Sequence, residues 1–208
     1  MGKINSITKQ TDNRYVNLYN VKATSVHNTP VNYFVASRAR DVESLKLVTR
    51  KNKPDGVIIY SIYGENHDKV VLIRQYRYTL GDYIYEFPAG LVEPDENYHE
   101  GAVREMYEET GLKLEPIPVA EAYQKPYFTT VGMTDESCAT VYGYASGQIS
   151  SKAQEATEEI EVVLADKEEV KRILQEENVA IMTAYMLMHF LHDKEPFEFL
   201  HEEAEAKS

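Results

Sequence analysis

The 208-residue chain contains no tryptophan and only one cysteine, Cys138. A single thiol cannot close an internal disulfide, so packing must hold the fold, and a reducing cytoplasm is the expected compartment. Cys138 is expected to be a small buried side chain in a strand rather than a redox centre. No apolar run reaches about 18 residues, which argues against a membrane-spanning helix. The opening MGKINSITKQTDNRYV lacks the apolar centre of a signal peptide. Positive charge is also scarce. Lysine and arginine total 22 against 34 acidic residues, for a formal charge of -12, and no basic run of nucleic-acid length occurs. Long nucleic acids are therefore poor candidate partners. A phosphate-bearing ligand would have to be met by a few local arginines or by bound metal, because the overall field repels it.

What is present is the composition of a soluble globular protein: 43% hydrophobic residues and 27% charged. Residues 15–21, 31–37 and 44–48 alternate apolar and polar side chains and are expected to be antiparallel strands. The polar stretch RKNKPDG at 50–56 carries both Pro and Gly and suits a junction. Residues 1–54 are therefore expected to form a small N-terminal antiparallel β unit, and residues 55–208 the main domain.

In that domain, 57–63 and 69–78 read as a hairpin, with further strands at 83–88, 117–123, 137–145 and 159–164. Helices are expected over 98–110, stopped by Gly111, over 167–176, opened by an Asp166/Glu169 capping box, and over 179–191. The last is apolar nearly all round and is expected to be buried against the sheet. The order of elements predicts an α/β/α sandwich with a mixed sheet. The acidic tail from His201 is expected to fray.

The densest chemistry lies between residues 90 and 112. Gly90 is followed by Glu96 after five residues, then by Arg104-Glu105-Met106-Tyr107-Glu108-Glu109-Thr110-Gly111-Leu112 after seven more. On a helix advancing about 100° per residue, with Arg104 at about 0°, Glu108 falls at about 40°, Glu105 at about 100° and Glu109 at about 140°. The three carboxylates share a face, while Val103, Met106 and Thr110 are expected to form the buried stripe. Like charges at these spacings cost about 0.2–0.5 kcal/mol per pair unless a cation sits on them. Mg2+ is the natural candidate, being a hard ion that takes oxygen ligands and phosphate oxygens together; Mn2+ is a possible substitute. A Glu-rich helix face alone would more often be a solvated surface. Glu96 and the two glycines at fixed spacing argue otherwise.

Arg104 is placed to hold the carboxylates in ligating rotamers rather than to react. Gly90 is expected to permit a tight turn, and Gly111 to end the helix in a left-handed conformation. The Ala89 carbonyl could complete a metal's oxygen shell.

This 23-residue pattern resembles the Nudix box, the mark of hydrolases that cleave a nucleoside diphosphate linked to another moiety. The segments Arg74-Gln75-Tyr76-Arg77-Tyr78 and Tyr85-Glu86-Phe87-Pro88-Ala89-Gly90 resemble the branch that hydrolyses ADP-ribose and nucleotide sugars, as does a β unit ahead of the core. The resemblance implies a homodimer, built by exchange of the N-terminal unit, with the substrate site between subunits. It also implies metal held by Ala89, Glu105, Glu108 and Glu109, with Glu96 and Arg104 supporting them. Arg74, Arg77 and Glu86 become candidates for gripping phosphates and sugar, with a surface salt bridge as the plainer role for either arginine. Phe34 or a tyrosine could stack on the base. A carboxylate on loop 150–158 would activate water, Glu158 first and Glu155 next, though each could simply be solvated.

The branch's Ser-Pro-Gly loop is not reproduced. Val131-Gly132 stands where Pro-Gly is expected, which admits UDP-sugars or other nucleotide sugars beside ADP-ribose. Two further readings are a non-catalytic nucleotide-sugar sensor on the same fold and a hydrolase of oxidised nucleoside triphosphates, the latter needing no N-terminal unit.

Overall fold

The computed structural model describes residues 1–200. The tail expected to fray lies outside them. In chain order the strands are β1 (Lys3–Lys9), β2 (Asn17–Thr24), β3 (Pro30–Ser37), β4 (Gly56–Tyr63), β5 (Lys69–Arg77), β6 (Asp82–Glu86), β7 (Ala89–Leu91), β8 (Lys113–Pro116), β9 (Tyr127–Phe128), β10 (Ser137–Ser146) and β11 (Ile160–Ala165). The helices are α1 (Lys46–Thr49), α2 (Tyr98–Thr110), α3 (Glu121–Gln124), α4 (Lys167–Glu176) and α5 (Ile181–His192).

The chain forms two compact units. The first joins Met1–Asp55 to Pro126–Cys138, so its composition differs from a simple cut at residue 54. Its sheet is an antiparallel meander in the order β1-β2-β3. Strand β1 is not visible in the alternation pattern because a register shift between Ile4 and Ser6 breaks the two-residue period. The strand expected over 44–48 is instead the single helical turn α1, closed by Arg50 in the left-handed region at φ 57°. Lys46 then reaches Asp55 at 2.5 Å and also donates to the Ser137 hydroxyl, while Asp55 accepts from the Ser137 N–H at 2.9 Å. Arg38 pairs with Glu136 at 2.8 Å, and the Tyr33 hydroxyl donates to the Gly132 carbonyl. These bonds fasten the 126–138 segment to the N-terminal strands.

The second unit joins Gly56–Lys125 to the chain from Ala139 onward. Its mixed sheet runs β11-β5-β4-β10-β8, with β6 beside β5 and β7 beside β4. Alternation along β4 divides the core. Val57 and Ile59 pack with Ala102 and Met106 of α2, whereas Tyr60 and Ile62 pack with Val170 and Ile173 of α4 and Leu187 of α5. Helices cover both faces, which is the α/β/α sandwich expected.

Three expectations fail in this unit. Residues 117–123 are not a strand: Pro116 and Pro118 deny ladder donors, and the segment closes in the single turn α3. Helix α5 buries only Thr183, Leu187 and Phe190, leaving Ile181, Tyr185 and Met188 more than half exposed. At α4, the Asp166 side chain accepts from the Glu168 and Glu169 N–H groups, but Glu169 turns to Arg172 instead of completing a capping box. Cys138 lies in β10 as expected, where burial pushes its thiol up to about 11.

Candidate active site

Helix α2 opens on a reciprocal capping box between Asn97 and Glu100, an Asn-x-x-Glu signal that stands in the sequence just ahead of the helix. At the far end Gly111 adopts φ 77°, and its N–H returns to the Tyr107 carbonyl, as a left-handed stop requires. Ala102, Met106, Glu109 and Thr110 are the large contributors to the buried face. Measured from Arg104, these lie between about 140° and 240°, so Glu109 falls inside the buried arc and Val103, at about 260°, falls outside it. Val103 is accordingly exposed, against expectation, and Glu109 is 3% exposed.

Arg104 organises the remaining carboxylates. Its Nε and Nη2 clasp Glu96 at 2.9 and 3.0 Å, and its Nη1 donates to both Glu105 and Glu108 at 2.8 Å. Nη2 also donates to the Leu91 carbonyl at 3.1 Å. All five guanidinium N–H groups thus have an acceptor, a set that lysine could not supply. The bonds from Arg104, with the Glu93 N–H, hold the Glu96 carboxyl below its ordinary range.

Glu109 leaves this cluster and accepts from the Ala89 N–H at 3.0 Å. Ala89, expected to act through its carbonyl, meets the helix through its amide. Burial raises the Glu109 carboxyl well above its usual value, and the neighbouring Glu105 and Glu158 add to the rise. Glu105 is raised mainly by burial too, opposed by Arg104. Gly90 has a role other than the expected turn. A Cβ there would lie 1.9 Å from the Glu105 carboxyl carbon, so the missing side chain is what gives that carboxylate its place.

The loop after β10 closes on the same helix. Ser150 donates its N–H to the Thr110 carbonyl at 2.9 Å, and the Gln154 side chain donates to the Glu109 carbonyl at 2.7 Å. Glu158 donates its N–H to the Glu155 carbonyl at 3.0 Å and lies within electrostatic reach of Glu105 and Glu109. Burial raises its own carboxyl. Glu155 is exposed. Gln154 gave no sequence signal, because a lone glutamine in a polar loop has no periodicity to betray it.

The remaining candidates separate. Arg77 pairs with Glu86 at 2.6 Å, and its charge acts on Glu109 and Glu158. By strand alternation Arg77 shares the face of Val71, which packs toward α2. Arg74 points to the opposite face, with its guanidinium 4.0 Å from the Tyr83 ring centroid and 3.6 Å from Glu161. Phe34 sits on β3 of the first unit, 48% exposed.

Among the described residues, no group of three or more His, Cys, Asp or Glu side chains is already gathered to hold a metal ion. The reason is local: Arg104 Nη1 holds Glu105 and Glu108, and Glu109 is turned to the Ala89 amide. The donor types nevertheless suit a hard divalent ion. A buried, charge-disfavoured Glu109 beside a Glu105 carboxylate admitted by Gly90 is an arrangement that a cation would relieve.

A model of the NUDIX domain matches residues 52–186. The chain belongs to the Nudix family. It is 41% identical over 81 residues to the ADP-sugar pyrophosphatase of Mus musculus, covering 38% of this chain and 37% of that protein. It is 27% identical over 140 residues to the ADP-ribose pyrophosphatase of Bacillus subtilis, covering 65% of this chain and 71% of the bacterial one. The chain thus spans only about a third of the mouse relative's length. The structure resembles that of an ADP compounds hydrolase with a TM-score of 0.65 and 14% identity, covering 92% of each chain. That likeness speaks to the Nudix fold.

Proposed function

We propose that this chain hydrolyses the pyrophosphate of a nucleoside diphosphate sugar in a Mg2+-dependent reaction, with ADP-ribose as the first substrate and AMP and ribose 5-phosphate as products. The observation that carries the reading is the α2 arrangement: Arg104 ties Glu96, Glu105 and Glu108 together beside a buried Glu109. Glu105, Glu108 and Glu109 would hold the metal. When bound, Mg2+ supplies charge neutralisation to a pyrophosphate and lowers the pKa of water. Arg104 keeps its carboxylates aligned. Glu158 takes the proton of the attacking water, and the burial that raises its carboxyl moves it toward the range in which a general base works best. Arg77, held by Glu86, faces the α2 side and grips a phosphate. The naming of the mouse and bacterial relatives favours ADP-linked substrates.

A UDP-sugar is the second reading, favoured by Val131-Gly132 in the loop where the branch has Pro-Gly. A homodimer is proposed as well. The first five residues of β3, Pro30–Phe34, are exposed on both faces of the strand, and Val31, Tyr33 and Phe34 among them are large and apolar. The decisive assay incubates the protein with ADP-ribose, UDP-glucose, GDP-mannose and a dinucleoside polyphosphate in Mg2+ and ranks kcat/KM. ADP-ribose leading, with equimolar AMP and ribose 5-phosphate, supports the first reading. UDP-glucose leading selects the second, and no turnover of any of them contradicts both.

A further inference from the structure

On the sheet face away from α2 lies a cavity of about 510 Å³, a volume within the range that takes a small molecule. Its floor is Tyr60 of β4 with Phe190 of α5 and Phe197 beyond it. The β4–β5 turn forms one wall through Asn66, His67 and Asp68, and the start of α4 forms another through Asp166 and Glu168. Asp193 and Glu195 complete the rim.

Three features point to the charge and shape of an occupant. Five carboxylates line the space against two lysines. One of those lysines, Lys167, already donates its ammonium to the Asp193 and Leu191 carbonyls at the end of α5, at 2.6 and 3.3 Å. Second, the Asp193 side chain is only 10% exposed, yet its Oδ2 is shielded from solvent and has no hydrogen-bond partner among the described residues. A buried carboxylate oxygen left without a donor is unusual in a folded protein. Third, Lys167 Nζ stands 5.9 Å from the Phe190 ring centroid, so an ammonium is accommodated beside this aromatic floor.

A diffuse charge on an apolar body fits this lining: the rings take the body and the rim takes the charge. We propose that this cavity binds a small organic cation, an amine or quaternary ammonium, at a site separate from the α2 carboxylates.

The test is calorimetric titration of the full chain with choline and with spermidine, using Mg2+ and inorganic phosphate as comparators. One saturable site for an ammonium probe is expected, with affinity reduced at least tenfold in Asp193→Asn. Glu195→Gln, at the exposed rim where folding is not at stake, should weaken it several-fold. Hydrolysis of the nucleotide sugar should be unchanged in both variants. The proposal is overturned if neither ammonium gives saturable heat, if both variants bind as the parent does, or if Mg2+ displaces the ammonium.

Discussion

Gly90 and Glu105 compete for one place: a Cβ on the glycine would stand within 2.3 Å of all three atoms of the Glu105 carboxyl group. The obstructing group is the end of a flexible side chain, so Gly90→Ala should fold with little change in Tm while Glu105 swings aside. A displacement of about 1 Å at a reacting centre can cost about a hundredfold in rate. The expected outcome is a near-parental melting curve with kcat/KM lowered by about that factor. Equal activity would show that Glu105 need not occupy this position.

Gly111→Ala should behave in the opposite way. Its φ of 77° strains any L side chain, and the new Cβ would lie 2.6 Å from the Ser150 backbone nitrogen, which cannot rotate away. The left-handed conformation alone costs about 1–2 kcal/mol. Urea unfolding should show at least that loss, because the clash adds to it.

Arg104→Lys keeps the charge and loses the five-donor fork. Removing such supporting groups commonly costs about 10- to 100-fold in metal affinity or activity. Mg2+ titrations of activity should shift by that order, with the fold retained. An unchanged Mg2+ dependence would reduce Arg104 to a surface ion pair.

Glu158→Gln should lower kcat by about 10²–10⁴, the range for a lost general base, with little change in KM. Glu155→Gln, exposed and supporting Glu158 through its backbone, should do far less. If Glu155→Gln is the more damaging, the two roles are exchanged.

Much of this site was legible in the sequence because fixed spacing on a helix is a geometric statement. Residues 98–110 and 167–176 form helices with the bounds that periodicity and caps indicate, and Arg104 contacts the carboxylates its spacing predicts. Other features depend on tertiary context. Glu109 reads as one more polar residue, yet its azimuth places it at the sheet, where β7 supplies an amide donor. The Gly90 contact depends on β7 passing close under α2. Arg74 and Arg77 look equivalent in a line of text, but they face opposite sides of the sheet once alternation along β5 is fixed by Val71 and Leu72. Residues 44–48 alternate like a strand and still coil, because Lys46 is drawn to Asp55.

The carboxylates also set how stability follows pH in metal-free protein. Glu109, Glu105 and Glu158 have folded values raised above the ordinary 4.5, so the folded state binds more protons and stability falls as pH rises from about that value through the raised ones. Glu96 and Glu169 are depressed by Arg104 and Arg172, so their contribution is present above 4.5 and lost as pH falls through their folded values. Melting in EDTA should therefore be highest in mild acid. A Tm that climbs steadily from pH 5 to 8 would contradict the raised values.

The most direct measurement compares Mg2+-induced thermal shifts in the parent and in Glu109→Gln. Replacing the carboxylate with an amide keeps an acceptor for the Ala89 N–H and removes a disfavoured charge, so the metal-free variant should melt higher, by about 2–4 °C per kcal/mol relieved. Mg2+ should raise the parent's Tm, leave the variant's nearly unmoved, and restore no hydrolysis to it. A variant that gains as much from Mg2+ as the parent and hydrolyses ADP-ribose at the parent's rate would show that the acidic face of α2 does not grip the metal.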